Sequence, residues 1–79
     1  MSNPKPDRKI DCFGLICPMP IVETAKEMTK MKKGQILEII ADDEGIVSDI
    51  PAWCESTGNK FLRMEKKGKI YHMFVKKLK

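Results

Sequence analysis

The sequence predicts an α/β (α+β) two-layer sandwich of order βαβαββ, with a mixed four-stranded sheet and two helices on one face. Three observations predict it. Two stretches with apolar residues at helical spacing alternate with short runs of β-type residues. A nearly continuous apolar run, Ile36-Leu37-Glu38-Ile39-Ile40, reads as a central strand. Two final strand-like runs are joined by Lys67-Gly68, a hairpin signal. With 79 residues, 42% of them hydrophobic and 33% charged, the chain has room for one small globular domain. Residues 1–8 are expected to form a flexible tail, and residues 9–79 the domain.

Each element has its own signals. Arg8 to Cys12 is a short strand candidate around Ile10. Pro18 at a first helical position, with Cys17 as the cap before it, opens a helix predicted over residues 18–32. Ile21, Val22, Ala25, Met28 and Thr29 form its apolar stripe, and Gly34 supplies the stop. Gln35 to Ala41 is the second strand, and Asp42-Asp43-Glu44-Gly45 a polar break. The next helix ends at Gly58-Asn59. It begins either near Glu44, with Pro51 inside it, or at a Ser48 or Asp49 cap with Pro51 in its first turn. Ile46, Val47, Ile50, Trp53, Cys54 and Thr57 make its apolar face. Lys60 to Lys66 and Lys69 to Lys77 are the last two strands, with Leu62 and Met64 alternating against Arg63 and Glu65.

The net charge of +4 is segregated along the chain. Residues 38–55 carry six acidic groups and no basic one, while residues 56–79 carry eight basic groups against Glu65. Such asymmetry orients charged partners. No run approaches the roughly 18 apolar residues of a membrane span, and the N-terminus is polar, so a cytoplasmic protein without membrane contact is expected. Three cysteines, an odd number, speak against a secreted disulfide framework.

Cys17 is the residue most suited to chemistry. It stands where a loop meets a helix start, and there free N–H groups and the macrodipole favour a thiolate. Pro18 and Pro20 lack N–H groups, so the expected donors are the amides of Met19 and Ile21. Cysteine is also a poor cap beside Ser, Asp or Asn, so capping alone explains the choice badly. No general base lies near it in sequence; His72, the sole histidine, is expected at a sheet position. This excludes hydrolysis and leaves thiol exchange or the carriage of a sulfur atom. Cys12 admits two readings: a second thiol able to pair with Cys17, or a buried residue at a strand end. Cys54 is read as core, and so are Met28, Met31, Met64 and Met73. No CxxC or His/Cys spacing supports a metal site. The Lys-rich hairpin lacks an RNA-binding motif, so nucleic acid is not an expected partner.

Asp11-Cys12-Phe13-Gly14-Leu15-Ile16-Cys17-Pro18-Met19-Pro20 resembles the Asp-x-x-Gly-x-x-Cys-Pro-x-Pro signature of the TusA/SirA-like sulfur carrier family. The likeness continues at Ala41-Asp42-Asp43 and at Asp49-Ile50-Pro51-Ala52-Trp53-Cys54, and spans roughly residues 9–77. It implies the same βαβαββ fold and a transient covalent persulfide on Cys17, with no other cofactor. It also implies a donor such as a cysteine desulfurase or rhodanese, and an acceptor protein. On this resemblance Pro18 and Pro20 hold the loop, and Asp11 and Gly14 shape the approach. The chain would then be a sulfurtransferase-like carrier acting by trans-persulfidation rather than a self-sufficient enzyme. The alternative is a thiol redox or regulatory module using Cys12 and Cys17.

Overall fold

The structure is a computed structural model and describes residues 5–16 and 18–79. The elements are β1 (Arg8–Asp11), α1 (Met19–Met28), β2 (Ile36–Ala41), α2 (Ile46–Thr57), β3 (Lys60–Lys67) and β4 (Ile70–Lys76). The sheet order is β1-β2-β4-β3, with β1 parallel to β2 and the other pairs antiparallel. The expected βαβαββ order and mixed sheet are therefore present.

Strand β2 is the centre of the packing. Leu37, Ile39 and Ala41 are fully buried, and their β4 partners Val75, Met73 and Tyr71 join them in one cluster. Side chains alternate between the faces of a strand, so these residues define a single face. Met28 of α1 and Ile46, Ile50 and Cys54 of α2 belong to the same cluster, which places both helices on that side. The opposite face carries Glu38 and His72, joined by a 2.6 Å contact between Oε2 and Nδ1. Lys9 lies 3.8 Å from the other Glu38 oxygen, and the Arg63 guanidinium stacks 3.8 Å from the Phe74 ring centroid. His72 thus fills a sheet position, as expected.

Several details differ from the sequence reading. Helix α1 ends at Met28 rather than residue 32, because Thr29, Lys30 and Met31 donate to carbonyls three residues back in place of four. The Lys77 ammonium closes this end by donating to the Met28 and Met31 carbonyls at 2.6 and 2.7 Å. The buried stripe of α1 is Pro20, Thr24 and Met28, whereas Val22 is exposed. Thr24 tolerates burial by donating its hydroxyl to the Pro20 carbonyl at 2.7 Å. Helix α2 takes the earlier of its two starts, with Pro51 inside, so the Val47 carbonyl lacks the usual N–H partner.

The last hairpin closes on the Lys67–Ile70 pair, so its loop is Gly68-Lys69, one residue later than read. Gly68 has φ 61 and, among the described residues, no non-glycine residue has positive φ, the pattern of a type II′ turn. A bulge at Leu62 shifts the register of β3. Phe61, opposite Val75, therefore packs against the core in place of the expected Leu62, whereas Met64, opposite Met73, is exposed rather than the core residue that the sequence suggested. At the other edge, Asp7 bonds Ile36 through both its N–H and its carboxylate, each at 2.8 Å, so the chain is tied to β2 one residue before β1 begins.

Replacing Lys77 by Met keeps most of the stem but removes both bonds to the α1 carbonyls. We expect a loss of about 1–2 kcal/mol in urea unfolding, with the native fold retained by circular dichroism.

Candidate functional site: the loop between β1 and α1

The loop following β1 is built from four local bonds. The Asp11 carboxylate accepts the Phe13 N–H at 2.9 Å, an Asx turn that bends the chain away from the sheet. The Cys12 N–H donates to the Ile40 carbonyl at 2.6 Å, continuing the β1–β2 ladder by one residue. A turn closes with Leu15 N–H donating to the Cys12 carbonyl at 3.0 Å. At its third position Gly14 has φ 84, a conformation glycine adopts without penalty. The Gly14 N–H then donates to Asp42 Oδ1 at 2.8 Å, across to the end of β2. Asp11 and Gly14 are thus turn-forming residues of this loop, and Asp42 is a third.

Beyond the turn the loop runs to Ile16 and into α1. The Cys17 expectation lies outside the described residues. Its described neighbours are Ile16, 72% exposed, and the exposed Pro18 and Met19. Phe13 is also 58% exposed, and Val22 stands one turn along α1 from Met19. Four of the seven exposed large apolar side chains among the described residues, Phe13, Ile16, Met19 and Val22, lie in this stretch. Such clusters mark surfaces that meet a partner. Pro20, by contrast, is fully buried and anchors the helix start against the core.

The start of α1 corrects one expectation. The cap is Pro18, with φ −97 and ψ 14, rather than Cys17, and no side chain caps the helix. The Met19 N–H donates to the Ile16 carbonyl at 2.8 Å, and the Ile21 N–H to the Pro18 carbonyl at 3.0 Å. Pro20 has no N–H. Every first-turn amide expected to steady a thiolate is therefore occupied or missing. The macrodipole is the remaining contribution of the helix end.

The other two thiols are withdrawn. Cys12 is 1% exposed; burial raises its pKa, helped by the nearby Glu23 and Asp11 carboxylates. Cys54 is 2% exposed, and burial pushes its thiol up to about 11. Both are free thiols within the core cluster, so Cys54 stands where the sequence placed it and Cys12 takes its buried reading. Among the described residues no group of three or more His, Cys, Asp or Glu could hold a metal ion. Among them too, no helix is long and apolar enough to cross a membrane.

Residues 8–77 match the family model described as Sulfurtransferase TusA. The chain belongs to the TusA family. It is 47% identical over 68 residues to YrkF of Bacillus subtilis, covering 86% of this chain but 37% of YrkF. It is 42% identical over 73 residues to YrkI of the same organism, covering 92% of this chain and 97% of YrkI. The sulfur carrier protein TusA of Allochromatium vinosum is 38% identical over 71 residues, covering 90% of this chain and 93% of that protein. The fold matches the crystal structure of a SirA-like protein from Desulfitobacterium hafniense, with a TM-score of 0.79 at 18% identity. That match covers 91% of this chain and 99% of the other. The family is the one that the Cys17 signature resembled. The chain thus spans well under half of YrkF but nearly all of YrkI.

The part of the site that sequence reading missed is Asp42. It looked like one member of a polar turn, and only its place in the family likeness at Ala41-Asp42-Asp43 set it apart.

Two outcomes follow. Asp42→Ala should free the Gly14 amide and speed its hydrogen exchange, whereas Asp42→Asn should restore protection by keeping an acceptor. At Gly14 a Cβ would meet no atom within 4 Å, so Gly14→Ala should cost only the backbone penalty, about 1–2 kcal/mol by denaturant unfolding. The Cys54 thiol also gives a pH signature. Its pKa is raised in the folded protein, so its contribution to stability is complete below the ordinary value of 9.0. That contribution is lost as pH rises toward about 11, and Cys54→Ala should flatten this part of the stability profile.

Proposed function

We propose that the protein is a sulfur carrier that holds sulfane sulfur as a persulfide on Cys17. It receives the sulfur from a donor protein such as a cysteine desulfurase or rhodanese and passes it to an acceptor protein. One observation carries this reading. Exposed apolar side chains gather at Phe13, Ile16 and Met19, in the stretch of chain that carries the Cys17 signature. Membership of the TusA family, and the name of the Allochromatium vinosum relative, point the same way.

The chemistry asks little of the protein. The Cys17 thiolate attacks the outer sulfur of the donor persulfide. The donor S–S bond breaks, an S–S bond forms at Cys17, and the donor leaves as a thiolate that takes up a proton. No electrons are gained or lost overall, so neither an oxidant nor a metal is required. Repeating the step with an acceptor thiol unloads the carrier. Exchange depends on the thiolate fraction and on access to the sulfur, not on a general base. This agrees with a site in which no histidine stands in the loop. The apolar group supplies what the chemistry lacks, a surface on which donor and acceptor can dock in turn.

The redox alternative needs Cys12 as a resolving thiol. Its 1% exposure and raised pKa weigh against that role.

Incubation with a cysteine desulfurase and cysteine should add about 32 Da, one sulfur atom, to the peptide containing Cys17. Cys17→Ser should abolish the adduct and Cys12→Ala should keep it. Equal loading of Cys17→Ser would overturn the reading. Ile16→Asp should slow loading by about tenfold or more through lost docking, with thermal stability unchanged because the side chain is already solvated.

A further inference from the structure

A groove lies between the turn after β2 and the β3–β4 hairpin. It is lined by Asp42, Asp43, Glu44, Lys66, Lys69 and Tyr71, with a cavity volume of about 360 Å³. That volume is at the lower end of small-molecule sites. The turn after β2 supplies one wall and carries three carboxylates. The β3–β4 hairpin supplies the other and carries two lysines. The carboxylates do not form a metal site, since among the described residues no three acidic, Cys or His side chains are placed to hold an ion.

Tyr71 distinguishes this groove from an ordinary solvated surface. It is only 7% exposed and belongs to the core cluster, yet it lines the groove. A tyrosine held by the core between walls of opposite charge makes a fixed point of recognition. Lys66 already sits with its ammonium 5.5 Å from the Tyr71 ring centroid.

We propose that this groove binds the zwitterionic head of an α-amino acid. The ammonium faces Asp42 and Glu44, the carboxylate faces Lys66 and Lys69, and the Tyr71 hydroxyl donates to the carboxylate. The opposed charges match a ligand carrying both signs within a few bonds better than a simple anion or cation, either of which one wall would repel. The proposal rests on the sulfur-carrier reading for its purpose. Cysteine persulfide belongs to this ligand class, and the Asp42–Gly14 bond joins the groove wall to the loop that leads to Cys17. A small amino-acid persulfide of this class is a direct sulfur donor: its S–S bond breaks as the new one forms on Cys17, and it leaves as cysteine.

The test uses S-methyl-L-cysteine, which has the zwitterion but no reactive thiol, titrated into the ¹⁵N-labelled full chain and its Cys17→Ser variant. Both should show saturable shifts at the amides of Asp42, Asp43, Glu44, Lys66, Lys69 and Tyr71, with a Kd of about 1–10 mM. N-acetylation or methyl esterification of the ligand should each weaken binding by about tenfold, as should the double substitution Lys66→Gln and Lys69→Gln. Tyr71→Phe should weaken it about threefold or more while the fold is retained. Absence of saturation by about 100 mM, or equal binding of the derivatives lacking one charge, would overturn the proposal. Binding in this assay without loading of Cys17 by a desulfurase would leave the groove standing and remove the carrier reading. Loading without binding would do the reverse.

Discussion

Leu37, Ile39 and Ala41 have no exposed surface, and strand β2, which carries them, touches almost every other part of the molecule. It pairs in parallel with β1 and antiparallel with β4, and its inner face receives residues from both helices. Burying an aliphatic side chain of this size contributes about 1.5–3 kcal/mol, so these positions carry much of what a small core can supply. Their second consequence is positional. The Ile40 carbonyl at the end of β2 fixes Cys12, and the next residue but one, Asp42, fixes Gly14. The loop between β1 and α1 therefore inherits its geometry from the strand that organises the core.

The same strand sets the environment of two of the thiols. Cys12 and Cys54 are drawn into its apolar layer, where an anion is costly, and their pKa values rise accordingly. The loop after Cys12 turns outward at Gly14 and presents Phe13 and Ile16 to solvent. These exposed apolar side chains are the surface on which the proposed docking rests. The prolines at 18 and 20 act in two ways. They fix the entry to α1, with Pro20 sealed against the core, and they remove amides that would otherwise be offered to an anion.

Local pattern announced much of this. The apolar run of β2, the proline and glycine punctuation and the order of elements all follow from spacing, because burial on one face imposes a period of two or of 3.6. The Cys-Pro-Met-Pro segment marks where the loop after β1 enters α1. What pattern missed was set by particular hydrogen bonds, by distant neighbours and by a bulge. Thr24 replaces Val22 on the buried stripe because its hydroxyl finds the Pro20 carbonyl within the helix. Helix α1 stops early where Lys77, 49 positions away from Met28, takes up its end carbonyls. The bulge at Leu62 turns Phe61 rather than Leu62 toward the core, and a single inserted residue leaves no periodic trace.

The sequence by itself determined the element order, the central strand, the loop that carries the Cys17 signature and the family. Each of these is written in spacings of a few residues, where local sterics and one-sided burial act. Only the tertiary structure decided that Cys12 is buried, that Asp42 holds the loop, and that Tyr71 lines a groove of mixed charge. Those outcomes depend on which atoms meet across 28 or more positions of chain, and no short-range preference encodes such meetings.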